Sequence, residues 1–250
     1  MQKISPMWFK SAGLMLFGLI LLSVSNIFDF LKIDVTIFRI ASGCASICVF
    51  ILGFVFGSNN PNWIWRTLWK FFPSLNKKVF PDINGVWIGT TQSNWTAIEK
   101  VRSAASSGQK LDLDDLFDLG LLKGGIAIVI DAGLFSLRIR SRQAGTSSNS
   151  YSLSASVEKF RDEQGFSLSY TYRQENPEYV ATDESDHIGA AILNFDYADL
   201  NSATGSYWTR RCWLDGRNTA GKLELRRVSN VIDTSRASLL SYAQAAQNDG

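Results

Sequence analysis

Histidine is almost absent from this chain: His187 is the only one, and cysteine occurs only at positions 44, 48 and 212. A histidine-rich metal cluster is therefore excluded. Three cysteines without a CxxC pair make neither a structural zinc site nor a disulfide scaffold. There is no Walker loop and no dinucleotide fingerprint, since the glycine pair at 124–125 lacks the lysine that a phosphate loop requires. His187 lies outside any nucleophile motif and reads as structural, and Asp183, Glu184 and Asp186 read as a solvated turn rather than a metal cage. With 25 basic against 23 acidic residues the net charge is only +2, which excludes a strongly basic nucleic-acid binder; no DNA or RNA partner is expected. No cofactor is implied. These absences favour binding over catalysis, and the chain is read as not being an enzyme.

What charge there is falls unevenly. Residues 1–79 hold eight basic residues against Asp29 and Asp34, a net +6, whereas the remaining 17 basic and 21 acidic residues leave −4. Uncharged runs fill the stretches from Lys10 to Asp29 and from Arg39 to Arg66. About 18 to 20 apolar helical residues cover the roughly 30 Å core of a bilayer, so both runs are long enough to span. A signal peptide has a shorter apolar stretch and a small-residue exit, and two buried core helices fit the lengths less well. The expectation is a transmembrane hairpin over residues 1–60, with spans at about 11–28 and 40–57. Lys3, Lys10, Arg66, Lys70, Lys77 and Lys78 outnumber Lys32 and Arg39 of the connecting loop, which places the N terminus and the C-terminal part in the cytoplasm of a multi-pass inner-membrane protein. Residues 61–80, rich in Trp, Arg and Lys, read as an interfacial linker along the inner leaflet. Small residues from Ala41 to Ser46 suit close helix packing.

From Pro81 onward the periodicity shortens to two. Eight alternating segments are expected at about 84–92, 125–131, 134–142, 150–158, 165–174, 187–195, 203–211 and 220–228. Asp131-Ala132-Gly133 reads as a tight turn, so neighbours should pair up and down. The fold class is thus an all-β, eight-stranded antiparallel up-and-down barrel over 81–228, with a sandwich as the alternative. A helical insertion at 94–123, with a capping box at Thr96 and Glu99, interrupts it. The tail, 229–250, reads as a short helix near 235–247 or a frayed end.

Strand parity sorts the side chains. Phe135, Leu137 and Ile139 share one face and Arg138 and Arg140 the other. Trp208 and Arg210 lie opposite Tyr207, Thr209 and Arg211, and Tyr170 and Tyr172 alternate with Thr171 and Arg173. Every face offers aromatics beside arginine, a combination that suits an anion with flat rings, because guanidinium grips phosphate and aromatic faces stack on bases. The alternative is that these arginines coat a solvated exterior. Parity leaves open which face is interior.

The order of features carries a resemblance: two apolar spans, a basic aromatic linker, PDINGVWIGT at 81–90, alternating Ser152, Ser154 and Ser156, GSYWTRR at 205–211 and GKLELRR at 221–227. The chain resembles the two-transmembrane, β-strand-rich effectors of bacterial cyclic-oligonucleotide-based antiphage signalling systems (CBASS). That resemblance implies a partner nucleotidyltransferase that makes a cyclic dinucleotide during infection. It also implies a barrel that binds this ligand, homo-oligomerisation in the lipid bilayer, and membrane disruption that kills the infected cell. From strand parity and side-chain chemistry the expected ligand site is Thr90, Arg140 and Trp208 first, then Arg138, Tyr172 and Arg210, with arginines for phosphate, aromatics for bases and threonine as a polar edge contact. The rival expectation is a membrane-anchored lipocalin-like carrier of a lipid or other apolar ligand; an enzyme acting on membrane substrates ranks behind both.

Overall fold

The computed structural model describes residues 43–49, 62–78, 81–112, 114–133, 136–162, 164–177, 185–232 and 235–248. These fall into two compact units, Met1–Phe71 and Phe72–Gly250. In the first, residues 43–49 are helical and α1 spans Asn62–Phe71, with Trp69 buried and Lys70 exposed. Apart from 43–49, the expected spans lie outside the described residues. Among the described residues no helix is long and apolar enough to cross a membrane.

The second unit opens with α2, Leu75–Lys78, and continues into eight strands: β1 Gly85–Ser93, β2 Leu122–Ala132, β3 Leu137–Gln143, β4 Asn149–Lys159, β5 Gly165–Glu175, β6 Asp186–Asp196, β7 Asp199–Arg210 and β8 Ala220–Ser229. Each pairs antiparallel with its neighbour, and β1 pairs with β8 to close the barrel, as the alternation implied and against the sandwich. The tight turn expected at 131–133 is corrected: Asp131 and Ala132 extend β2 in register with Arg138 and Leu137 of β3, and the reversal follows, with Gly133 N donating to Ser136 O at 2.7 Å. β3 accordingly starts at Leu137 rather than 134; Phe135 lies outside the described residues.

The insertion is smaller than expected. It holds α3, Trp95–Ser107, and one turn, α4, Asp114–Phe117, while Leu122 and Lys123 belong to β2. No capping box starts α3. Asn94 is its N-cap, and Thr96, already inside the helix, donates from Oγ1 to Gly120 O at 2.7 Å, which ties α3 to the chain entering β2. The tail forms α5, Arg236–Asn248, against the outside of β1, β2 and β3. Leu239, Ala243 and Ala246 there cover Val86, Ile88, Ala127 and Val129. Gly125 permits the contact, because a Cβ at that position would overlap the Ala243 carbonyl.

Inside, the two ends differ. One end is filled by Trp87, Ile128, Ile130, Ile139, Phe166, Leu168, Leu193 and Phe195. Phe166 stacks on Phe195 at 4.7 Å and Trp87 meets Phe195 edge-on at 5.3 Å, arrangements that add to the area these rings bury. The chain entering β1 is locked to this end. Asn84 Nδ2 donates to Ala132 O and its Oδ1 accepts from Ala132 N, while Arg227 lies over the Trp87 ring and donates to Asp82 O at 2.8 Å. At the other end the interior is hollow.

Candidate functional site

The hollow end is a cavity of about 390 Å³, within the usual range for small-ligand sites. Inward-pointing residues of the strands build its wall: Thr91 from β1, Ile126 from β2, Ser141 and Gln143 from β3, Ser150 from β4, Tyr170, Tyr172 and Gln174 from β5, His187 and Ala191 from β6, and Tyr207 and Thr209 from β7. Trp95, at the start of α3, and Arg211, just past β7, complete the rim, with the guanidinium 5.6 Å from the centre of the indole ring.

Two tyrosines owe their positions to glycines across the ladder. Tyr172 is in register with Gly189 and Tyr207 with Gly221. A Cβ on Gly189 would overlap the Tyr172 phenol, and one on Gly221 would press on the Tyr207 ring, so the missing side chains are the space in which the rings lie. Burial pushes the Tyr170 phenol well above the ordinary value of 10.0; Tyr172 is raised by burial and by the neighbouring Tyr170 and Tyr207. Burial also raises Tyr207, partly opposed by a hydrogen bond with Ser93. All three stay protonated at neutral pH and present neutral O–H groups.

The remaining polar groups are hydroxyls and amides, partly engaged with one another. Thr91 Oγ1 donates to Gly124 O at 3.2 Å, the Thr209 and Thr219 hydroxyls share a hydrogen bond of 2.8 Å, and Ser150 Oγ donates to Gln174 Oε1 at 3.3 Å. No Asp or Glu is found among the described residues that line the cavity, whereas Lys123 and Arg211 stand at its edge. Such a lining suits an anionic ligand carrying flat rings: cationic and neutral donors for phosphate oxygens, aromatic faces for bases.

Of the six residues expected to form the site, the structure brings one, Tyr172, into the cavity. The other five face outward. Arg138 pairs with Asp131 at 2.8 Å, Arg140 is exposed beside Val129 and Tyr151, and Trp208 and Arg210 lie on the outer face of β7 beside Ala190 and Ile188. Thr90 lines a shallow external groove with Ile88, Glu224, Arg226 and Ala246. A shift of one residue reverses every side chain of a strand, so the cavity holds the neighbours Thr91, Ser141 and Tyr207, together with Arg211 beyond the end of β7. His187, read as structural, is buried in the cavity wall. A signal for the correct parity lay in Gly189 and Gly221, whose ladder positions leave room inward for a large ring.

A closed barrel, packed at one end and hollow, polar and cation-rimmed at the other, defines a small-molecule binding module. Residues 123–227, from the start of β2 to the end of β8, match the family described as "Cap15, cyclic dinucleotide receptor domain". Over 179 residues the chain is 31% identical to CD-NTase-associated protein 15 of Escherichia albertii, an alignment covering 71% of this chain and 75% of that protein. The chain belongs to the Cap15 family of CBASS effectors, the family that its short motifs resemble. That family is described by what it receives, not by a reaction.

Proposed function

We propose that this chain is a membrane-anchored effector of CBASS antiphage defence whose barrel binds a cyclic dinucleotide in the polar cavity. The observation that carries the reading is the convergence of Tyr170, Tyr172, Tyr207 and Arg211 on one cavity within the segment that matches the receptor family. Arg211 and the phenols hold the phosphodiesters, while Trp95 and the tyrosine rings stack on the bases. The uncharged runs of the N-terminal part anchor the chain in the cytoplasmic membrane with the N terminus and the barrel in the cytosol. Ligand, made by an associated nucleotidyltransferase, favours an assembled state, and assembly disrupts the bilayer. Binding shifts that equilibrium only as far as the assembled state holds the ligand more tightly.

The full chain, reconstituted in dye-filled vesicles, tests this reading with a panel of cyclic dinucleotides and a fatty acid. Dye release triggered by one cyclic dinucleotide, and lost in Arg211→Gln, is the expected result. Uptake of fatty acid without release, and indifference to every nucleotide, would identify a carrier instead.

A further inference from the structure

One wall of the cavity is the end of a hairpin. Ser141 and Gln143 of β3, Thr146 and Ser148 of the following loop and Ser150 of β4 all line it. Arg142 and Ala144, between them in sequence, point the other way. Ala144 is buried in the same apolar cluster as Leu239 and Ala243 of α5, and its N–H donates to Gly125 O at 2.8 Å. Arg142 lies on the outer face of β3, in register with Ala127, which that helix also covers.

Three arginines share that outer face and are engaged differently. Arg138 pairs with Asp131 and Arg140 is exposed, whereas Arg142 is gripped by backbone carbonyls. Its Nη2 donates to Ser147 O at 2.8 Å, its Nε to Ser148 O at 3.3 Å and its Nη1 to Arg236 O at 3.2 Å. The first two acceptors belong to the loop and the third to the first residue of α5. A planar guanidinium, with donors in fixed directions, suits three oxygens on two elements at once. The acceptor on α5 is itself held in place, because Ser238 N donates to Ser235 Oγ at 3.1 Å and caps the helix start. Among the described residues α5 contributes nothing to the cavity lining, and it lies beyond the segment 123–227 that matches the receptor family.

We propose that Arg142 and α5 form an external brace for the binding site: the guanidinium fastens loop 144–148 to the helix and so keeps Gln143, Thr146 and Ser148 in the arrangement that receives the ligand. Arg142 is a positioning residue and touches no ligand itself. The proposal rests on the reading of the cavity as the cyclic dinucleotide site and names a residue outside it on which affinity depends. The loop's own links, Thr146 Oγ1 donating to Gln143 O at 3.1 Å and the Thr146 and Ser148 hydroxyls 2.7 Å apart, are local and leave its position against the barrel to the brace. A loop released from it samples other shapes, and apparent affinity falls with the fraction of time spent in the competent one.

The test titrates the full chain calorimetrically with a panel of cyclic dinucleotides built from A, G, C and U, and follows amide hydrogen exchange of the free protein. Arg142→Met is expected to weaken binding about tenfold, the result of a loop in the competent shape roughly a tenth of the time. Amide protection should fall at residues 144–148 and 236–240 and persist in β5, β6 and β7. Arg142→Lys keeps the charge and loses the fork, so it should bind within about threefold of Arg142→Met. Arg236→Ala keeps the carbonyl that α5 supplies and should bind within about twofold of wild type. Arg142→Met that binds like wild type, Arg142→Lys that restores full affinity, or protection lost evenly across all the strands overturns the brace and leaves the functional reading intact. A wild type that binds no member of the panel overturns both.

Discussion

The two ends of the barrel are made of the same strands and do opposite work. At the packed end Trp87, Phe166 and Phe195 are fully buried and interlock with aliphatic side chains. At the hollow end the same strands turn to Thr, Ser, Gln and Tyr, and leave a cavity. Close packing carries stability at one end, which allows the other to keep under-packed polar surface for a ligand. Substitutions should therefore separate cleanly, with folding lost at one end and affinity at the other.

The largest effect belongs to the packed end. Phe195→Ala removes a ring held by two others and is expected to cost about 3–5 kcal/mol of stability, read as a lower midpoint in urea. At the hollow end Arg211→Gln should leave the midpoint nearly unchanged and weaken cyclic dinucleotide binding by roughly 10- to 100-fold, the worth of about 1.5–3 kcal/mol for a hydrogen bond to a charged group. Calorimetric titration measures the second and denaturation the first. An Arg211 variant that unfolds, or a Phe195 variant that folds and binds normally, breaks the comparison.

A smaller effect sharpens it. Because the Tyr172 phenol is raised above 10.0, its folded-state proton is held more tightly than in the unfolded chain. The associated stability is fully present below the unfolded value and is lost as pH rises above about 10. Between pH 8 and pH 10.5, Tyr172→Phe should lose less stability than wild type, as urea denaturation at the two values would report. The smallest change is expected from Arg140→Ala on the outer wall, which should leave ligand affinity within about twofold by the same titration, since an exposed side chain outside the site contributes little.

Period-two alternation made all eight strands legible, because each strand has one face against the interior, whereas the turn expected at 131–133 fell partly within β2. The site was not legible, for a physical reason that β1 and β7 illustrate. In β1, Val86 and Ile88 are as apolar as Trp87, because α5 buries the outer face as well, so hydrophobicity does not mark the interior. In β7, Trp208 and Arg210 on the outer face alternate with inward Tyr207 and Thr209, and Arg211 follows at the rim. A polar cavity inside and arginines outside make the two parities chemically alike. Helix α5 was half legible: its spacing was present, but the surface it covers depends on Gly125, far away in sequence.

The central claim is that the cavity, rather than the outer wall, receives the ligand. One side-by-side calorimetric titration tests it: full-length wild type, Tyr172→Phe, Arg211→Gln and Arg140→Ala, each against the same cyclic dinucleotide panel. Saturable binding of one ligand, weakened about tenfold or more by the two cavity variants and unchanged by Arg140→Ala, is the expected result. Binding that survives both cavity variants and disappears with Arg140→Ala would put the site on the outer wall and contradict this account.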